Sequence, residues 1–192
     1  MNRKSEFLLG DRMCMRLIKI KDASDILHCL NTASEVPSNL NFFSGGIPTL
    51  AKEVGWIRST IRRMRDEEEL VFSIFSRDRK QFIGTVGLLE IDWQNKNARV
   101  GITILNEEFR GHGYAHEILD LTHGYGFEIL GLNKIFMSFY FENMKMHRIA
   151  DRLGYRKAGV LKEEYFLKGK WLDFVRYELT AKEYQKRIQG AQ

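Results

Sequence analysis

The chain has 192 residues, 44% hydrophobic and 29% charged, enough to build one domain around a sizeable core. Its formal net charge is +5 and its isoelectric point is near 9.2. However, Arg58, Arg62, Arg63 and Arg65 run straight into Asp66, Glu67, Glu68 and Glu69, a mixed-sign helix face rather than the basic stripe of a nucleic-acid binder. Cys14 and Cys29 are too few for a disulfide framework, no apolar run reaches the ~20 residues of a bilayer span, and residues 1–11 lack an apolar signal region. The expectation is a cytoplasmic protein with reduced thiols, no membrane partner and no nucleic-acid partner.

In chain order, residues 15–20 read as a first strand. Asp22 is placed to cap a helix whose Ala23, Ile26, Leu27 and Leu30 share one face. Residues 34–48, rich in Ser, Asn, Gly and Pro, read as a loop. Leu50, Val54, Ile57, Ile61 and Met64 recur at steps of four and three and predict a second helix, ended by the acidic run. Residues 70–75, 82–91 and 98–105 are rich in Val, Ile and Phe and are separated by polar turns, which predicts an antiparallel meander.

A helix then starts near Gly113, buries Ala115, Ile118, Leu119, Thr122 and Ile129, and stops at Gly131. Residues 134–141 form the next strand. Asn143 caps a helix with Met146, Ile149, Ala150 and Leu153 on one face, closed by Gly154. Residues 156–166 and 170–179 form a final hairpin across Leu167-Lys168-Gly169. The expected fold is a single α/β (α+β) domain over residues 1–192. It has a central, mostly antiparallel sheet of about seven strands, a parallel crossover between the fourth and fifth, and about four flanking helices.

The chemistry concentrates where a strand, a short loop, a glycine-rich turn and a helix follow one another. Gly111 and Gly113 permit a tight turn, and the helix start adds unsatisfied N–H donors and a positive dipole end. Arg110 adds charge, so the segment suits a diphosphate. No Gly-Lys-Ser/Thr follows, which excludes a Walker loop. The antiparallel context excludes a dinucleotide fingerprint.

Arg110-Gly111-His112-Gly113-Tyr114-Ala115 resembles the Arg/Gln-x-x-Gly-x-Gly/Ala signature of the GNAT acetyltransferases. The resemblance continues through Asn143 and Asp151-Arg152-Leu153-Gly154-Tyr155. The hairpin Lys168-Gly169-Lys170-Trp171-Leu172-Asp173 and the opening Leu9-Gly10-Asp11-Arg12 with Lys21-Asp22-Ala23 resemble the ribosomal-protein and spermidine acetyltransferase branch. This resemblance implies an acetyl-CoA-dependent N-acetyltransferase without a metal. It would move the acetyl group to a primary amine of a peptide N-terminus, polyamine or other small amine by direct transfer in a ternary complex. It also implies that the backbone of Ile102, Thr103 and Ile104 pairs with the pantetheine arm and that Arg110, Gly111, His112, Gly113, Tyr114 and Ala115 hold the pyrophosphate. Asn143 would contact the cofactor near the thioester. Dimers are common in the family, so a homodimer is one option, and nothing in the sequence fixes an interface.

Acetyl transfer needs a deprotonated amine, a donor to the thioester oxygen and a proton for the leaving thiolate. Glu90, which interrupts an apolar strand, is the candidate base and resembles an acidic position of the spermidine branch. Asp92 shapes the turn after it. Where many relatives carry a tyrosine acid, this chain has Ala150, which motivates the alternative of a non-catalytic acyl-CoA-binding or regulatory module. Tyr155 is read as a packing residue, His112 as a solvated loop residue, and His28, His116 and His123 as helix residues without a visible partner. The amine is expected beside residues 34–46 and the final hairpin, with Asn39, Asn41, Phe42, Phe43 and Tyr165 lining it and Glu35, Glu163 and Glu164 favouring a polyamine. The basic isoelectric point leaves an RNA- or ribosome-associated binder as a third reading.

Overall fold

The computed structural model describes residues 7–33, 47–78, 80–167 and 169–190. The candidate acceptor residues Glu35, Asn39, Asn41, Phe42 and Phe43 and the hairpin residue Lys168 lie outside them.

The strands are β1 (Phe7–Leu9), β2 (Met13–Leu17), β3 (Leu70–Ser76), β4 (Phe82–Asp92), β5 (Asn97–Ile104), β6 (Lys134–Tyr140), β7 (Arg156–Leu167) and β8 (Lys170–Thr180). They form one open sheet in the order β1-β2-β3-β4-β5-β6-β8-β7. It is antiparallel except for β5 and β6, which pair in parallel through Asn97↔Lys134, Ala98↔Ile135 and Arg99↔Phe136. A parallel pair needs a crossover, and α3 (Tyr114–Gly124) lies in the connection. The other helices are α1 (Ala23–Thr32), α2 (Leu50–Arg65), α4 (Met144–Arg152) and α5 (Ala181–Gly190).

The chain packs as two compact units, one holding residues 1–89 and 101–122, the other residues 90–100 and 123–192. In the first, β3 is buried along nearly its whole length, and Phe72 and Ile74 join Met13, Met15, Ile57 and Ile118 in the core. Its polar anchor is Asp22, wholly buried. Asp22 was expected to cap α1 with its side chain. The structure corrects this: Asp22 occupies the N-cap position without a side-chain cap bond. Its carboxylate instead accepts from Arg16 (2.8 and 2.5 Å), the Ser73 hydroxyl (2.6 Å) and the Lys19 N–H (2.9 Å). A buried carboxylate goes where charged donors are, and Arg16 on β2 outcompetes the helix start.

The second unit holds α4, α5, β6, β7 and β8 around Ile135, Leu153, Val175 and Leu179. The helix after the glycine turn continues past Gly124 as a π-helical turn, Tyr125–Ile129, with Leu130 N–H donating to Tyr125 C=O at 3.0 Å. Gly131 follows in the left-handed region (φ 69°).

Two elements exceed the sequence expectation. β1 is a three-residue strand whose two end residues are exposed, too short for a periodicity to register. α5 is mostly polar and buries only Tyr184, whose ring stacks on Phe127 and whose hydroxyl donates to Glu128. It did carry a local signal: Thr180 and Glu183 form a reciprocal capping pair. The Glu183 N–H donates to Thr180 Oγ1, and Glu183 Oε2 accepts the Thr180 N–H. No helix of the described residues is long and apolar enough to cross a membrane.

Candidate functional site

β5 delivers the half-buried residues Ile102, Thr103 and Ile104 to the loop that precedes the glycine turn. At this point β4 and β5 come unusually close. A Cβ added to Gly84 would lie 2.0 Å from the Thr103 carbonyl oxygen. The Ile83 carbonyl then accepts from both Leu105 N–H and Asn106 N–H, at 2.9 and 3.0 Å. A glycine within a strand pattern signals such an approach, and Gly84 carries that signal in the sequence.

A 3-10 turn, Glu107–Phe109, leads to Arg110. The sequence reading gives Arg110 to the anion, and the structure gives it a second task. Its Nε donates to the Ile104 carbonyl (3.0 Å), one Nη to the Leu105 carbonyl (2.9 Å) and the other to Glu107 (3.0 Å). The guanidinium thereby ties the turn to the end of β5. Gly111 and Gly113 both lie at φ 81° with no protein atom closer than 3.7 Å to an added Cβ. They are glycines for the backbone angle, not for space. His112 between them is exposed. Tyr114 and Ala115 open α3, and Tyr114 packs edge-on against the buried Phe109 ring. A cavity of about 270 Å³ borders the turn, lined by Arg12, Asp78, Glu108, Phe109, His112 and Tyr114.

Cys29 is buried, and burial, with the Asp25 charge, pushes its thiol up to about 11 while Arg110 pulls the other way. A thiol with so little thiolate is a poor nucleophile, in keeping with a transfer that uses no cysteine. Among the described residues no three His, Cys, Asp or Glu side chains gather as a metal site.

In the other unit, Glu90 sits on β4 with φ 53°, a left-handed conformation that marks a strand irregularity. Its side chain is 63% exposed and pairs with Arg99 at 2.8 Å. Asp92 accepts the Asn95 N–H and amide, the turn-shaping role read from sequence. Asn143 caps α4, its Oδ1 accepting the Met146 N–H at 3.2 Å. Ala150 is fully buried and offers no hydroxyl. Tyr155 is buried too, and its hydroxyl lies 2.7 Å from Nε2 of the equally buried His123. His123 thus has a partner that its helix position did not reveal. His147 bridges the Tyr177 hydroxyl (2.9 Å) and the Phe141 carbonyl (2.8 Å). In the β7–β8 hairpin, Tyr165 stacks on Phe174, and a register shift near Glu163 (φ 52°) accompanies the Lys162–Asp173 ion pair.

The acetyltransferase (GNAT) domain family matches residues 12–156, from the start of β2 to the start of β7. The chain belongs to the GNAT acetyltransferases. The uncharacterized N-acetyltransferase YoaA of Bacillus subtilis (strain 168) is 26% identical over 159 residues, 83% of this chain and 88% of the relative. The spermidine N(1)-acetyltransferase of Vibrio cholerae is 32% identical over 108 residues, 56% of this chain and 62% of the relative. Among solved structures, a spermidine N-acetyltransferase of Vibrio cholerae in complex with CoA and spermine superposes with a TM-score of 0.76 at 25% identity, over 92% of this chain and 99% of that one. Other relatives carry ribosomal-protein acetyltransferase names, so both halves of the expected branch are represented. The chain is an N-acetyltransferase, which sets aside the non-catalytic alternative.

Proposed function

We propose that the enzyme transfers the acetyl group of acetyl-CoA directly to a primary amine within a ternary complex. The observation that carries this reading is the turn Arg110-Gly111-His112-Gly113: two left-handed glycines at the start of α3, fastened to β5 by Arg110, in a chain of the GNAT family. Such a turn aims successive backbone N–H groups outward next to a positive helix end, the arrangement a pyrophosphate needs. In this reading Gly111, His112, Gly113, Tyr114 and Ala115 hold the pyrophosphate. Ile102, Thr103 and Ile104 carry the pantetheine arm on their backbone, and Asn143 approaches the thioester end.

The neutral amine attacks the thioester carbon. The C–N bond forms, the C–S bond breaks, the nitrogen gives its extra proton to the base, and CoA leaves as a thiolate that takes up a proton from water. Glu90 is the proposed base, and its exposure suits proton exchange with water. The acceptor is proposed to be a polyamine, a protein N-terminus or another small amine. The polyamine choice draws support from the spermidine acetyltransferase relatives and from the relative solved with CoA and spermine. The proposed setting is the cytoplasm, and self-association, a homodimer being one option, draws support from the dodecameric spermidine N-acetyltransferase of Vibrio cholerae.

The test is release of free CoA thiol from acetyl-CoA over a panel of polyamines, amino sugars, aminoglycosides and N-terminal peptides. Saturable, amine-dependent release supports the proposal. CoA binding without turnover on any amine sinks the transfer reading, and absence of CoA binding sinks the cofactor assignment.

A further inference from the structure

The glycine turn is held from a second side by a residue far away in sequence. Arg12 begins with its own backbone: its N–H donates to Glu117 Oε1 at 3.0 Å, and its Nε donates to Glu117 Oε2 at 2.8 Å, a bidentate hold on the first turn of α3. The same guanidinium donates from Nη1 to the carbonyl oxygen of His112 at 2.9 Å. Its carbon sits 4.3 Å above the Tyr114 ring, and its Nη2 is 3.7 Å from where a Gly113 Cβ would be. One side chain thus touches residues 112, 114 and 117 and stands beside Gly113.

Arg12 is itself fixed. The Arg12 carbonyl accepts the Arg77 N–H at 3.0 Å, and the Arg77 guanidinium donates to the Gly10 carbonyl at 3.0 Å. Gly10 leaves room for the carboxylate, since an added Cβ would stand 3.0 Å from Glu117 Oε1. Burial alone would raise the Glu117 carboxyl. The hydrogen bonds and charge of Arg12 outweigh it and hold the group below its ordinary value. The pair is therefore charged near neutral pH.

The consequence follows from peptide geometry. A trans peptide is planar, and its N–H points opposite to its C=O. Anchoring the His112 oxygen on Arg12 therefore points the Gly113 N–H the opposite way within that plane. The direction of this peptide depends on ψ of His112 and on φ of Gly113, which has no Cβ to restrict it and sits at φ 81°, so an external hold helps decide it. We infer that Arg12 is a positioning residue that sets the Gly113 N–H of the pyrophosphate turn from outside, with Glu117 holding Arg12 in place. This deepens the proposed cofactor site and rests on that reading.

The experiment uses the full chain as wild type, Arg12→Ala, Arg12→Lys and Glu117→Gln. Each is titrated with CoA and with S-acetylpantetheine, which has the arm and the thioester but no pyrophosphate. Thermal melting of each variant runs alongside. Arg12→Ala is expected to weaken CoA about tenfold, the scale of one hydrogen bond to a charged group, and to leave S-acetylpantetheine unchanged. Arg12→Lys keeps the charge but not the fork, so it fails to restore CoA affinity. Glu117→Gln, which keeps an acceptor but loses the charge, shows the same pattern with a smaller shift. Equal losses for both ligands, or unchanged CoA affinity in Arg12→Ala and Glu117→Gln, would overturn the inference while leaving the cofactor site standing. Absence of CoA binding by the wild type would overturn the site reading and this inference with it.

Discussion

Replacing Gly84 by alanine isolates one piece of geometry. The added Cβ would stand 2.0 Å from the Thr103 carbonyl oxygen and 3.0 Å from Ile104 Cα and the Thr103 carbonyl carbon, all backbone atoms. No rotamer change relieves such a clash. Real Cβ contacts essentially never fall below 3.0 Å, so β4 and β5 must part locally by about 1 Å, the difference 3.0 − 2.0. The hydrogen bonds from Leu105 and Asn106 to Ile83, now 2.9 and 3.0 Å, would stretch to about 3.9 and 4.0 Å, beyond bonding range. Two such bonds contribute about 1 kcal/mol each, and overpacking costs about 1–3 kcal/mol, so the loss is about 3–5 kcal/mol. For a chain of this size that lowers Tm by roughly 10 °C. The clash falls on Thr103, so the KM for acetyl-CoA should rise as well. Gly55, inside α2 with nothing within 4 Å of an added Cβ, is the control. Alanine there should raise stability by up to ~1 kcal/mol through helix propensity. Thermal melts of both variants, with steady-state kinetics, provide the assay. A Gly84→Ala protein that melts with the wild type and keeps its KM would refute the close approach of the two strands.

Other perturbations probe other links. Burial works to raise the Asp22 carboxyl, but bonds from Arg16, Ser73 and Lys19 and the Arg16 charge bring it below its ordinary value. A depressed carboxyl stabilises the fold above the unfolded pKa of about 3.9 and loses that contribution as pH falls through the lower folded value. Denaturant melts should therefore show Asp22→Asn about 3 kcal/mol less stable at pH 7, with the gap closing below about pH 4; a pH-independent gap contradicts the charge argument. Thr180→Ala removes the α5 cap and should cost about 1 kcal/mol, with faster hydrogen exchange in α5 as the local readout. Glu90→Gln should lower the neutral-pH acetyl-transfer rate by about 10²-fold or more if Glu90 is the base, and a full rate removes it from that role.

The fold was largely legible because its signals are local. Three Val/Ile/Phe-rich runs with short polar turns left little freedom except an antiparallel meander, and the structure has β3, β4 and β5 there. Leu50, Val54, Ile57, Ile61 and Met64 marked α2 over its whole length. The errors have physical causes. α5 has a cap but almost no apolar face, and Tyr184 alone pins it, so a search for periodicity passes it by. Asp22 was assigned to the helix after it, although Arg16 stands only six positions before it; the partner hidden by separation is Ser73, 51 positions on, which β3 places opposite Arg16.

The candidate site divides along the same line. The Gly111 and Gly113 turn was readable because the requirement for φ 81° is intrinsic to each residue and leaves its mark as glycine. Gly84 left the same mark for a different reason, the space taken by Thr103, and only the structure separates the two. The hold on the turn left no local mark at all. Arg12 and Glu117 are 105 positions apart, and each alone resembles any surface charge. A glycine turn flexible enough to wrap a pyrophosphate is also flexible enough to point its N–H groups elsewhere. The features that make the turn visible in the sequence thus create the need for Arg12 and Arg110, which fasten it from either side. Comparing Gly113→Ala with Arg12→Ala separates the two needs. Strain at Gly113 should lower CoA affinity and Tm together, whereas loss of Arg12 should weaken CoA beyond any loss of Tm.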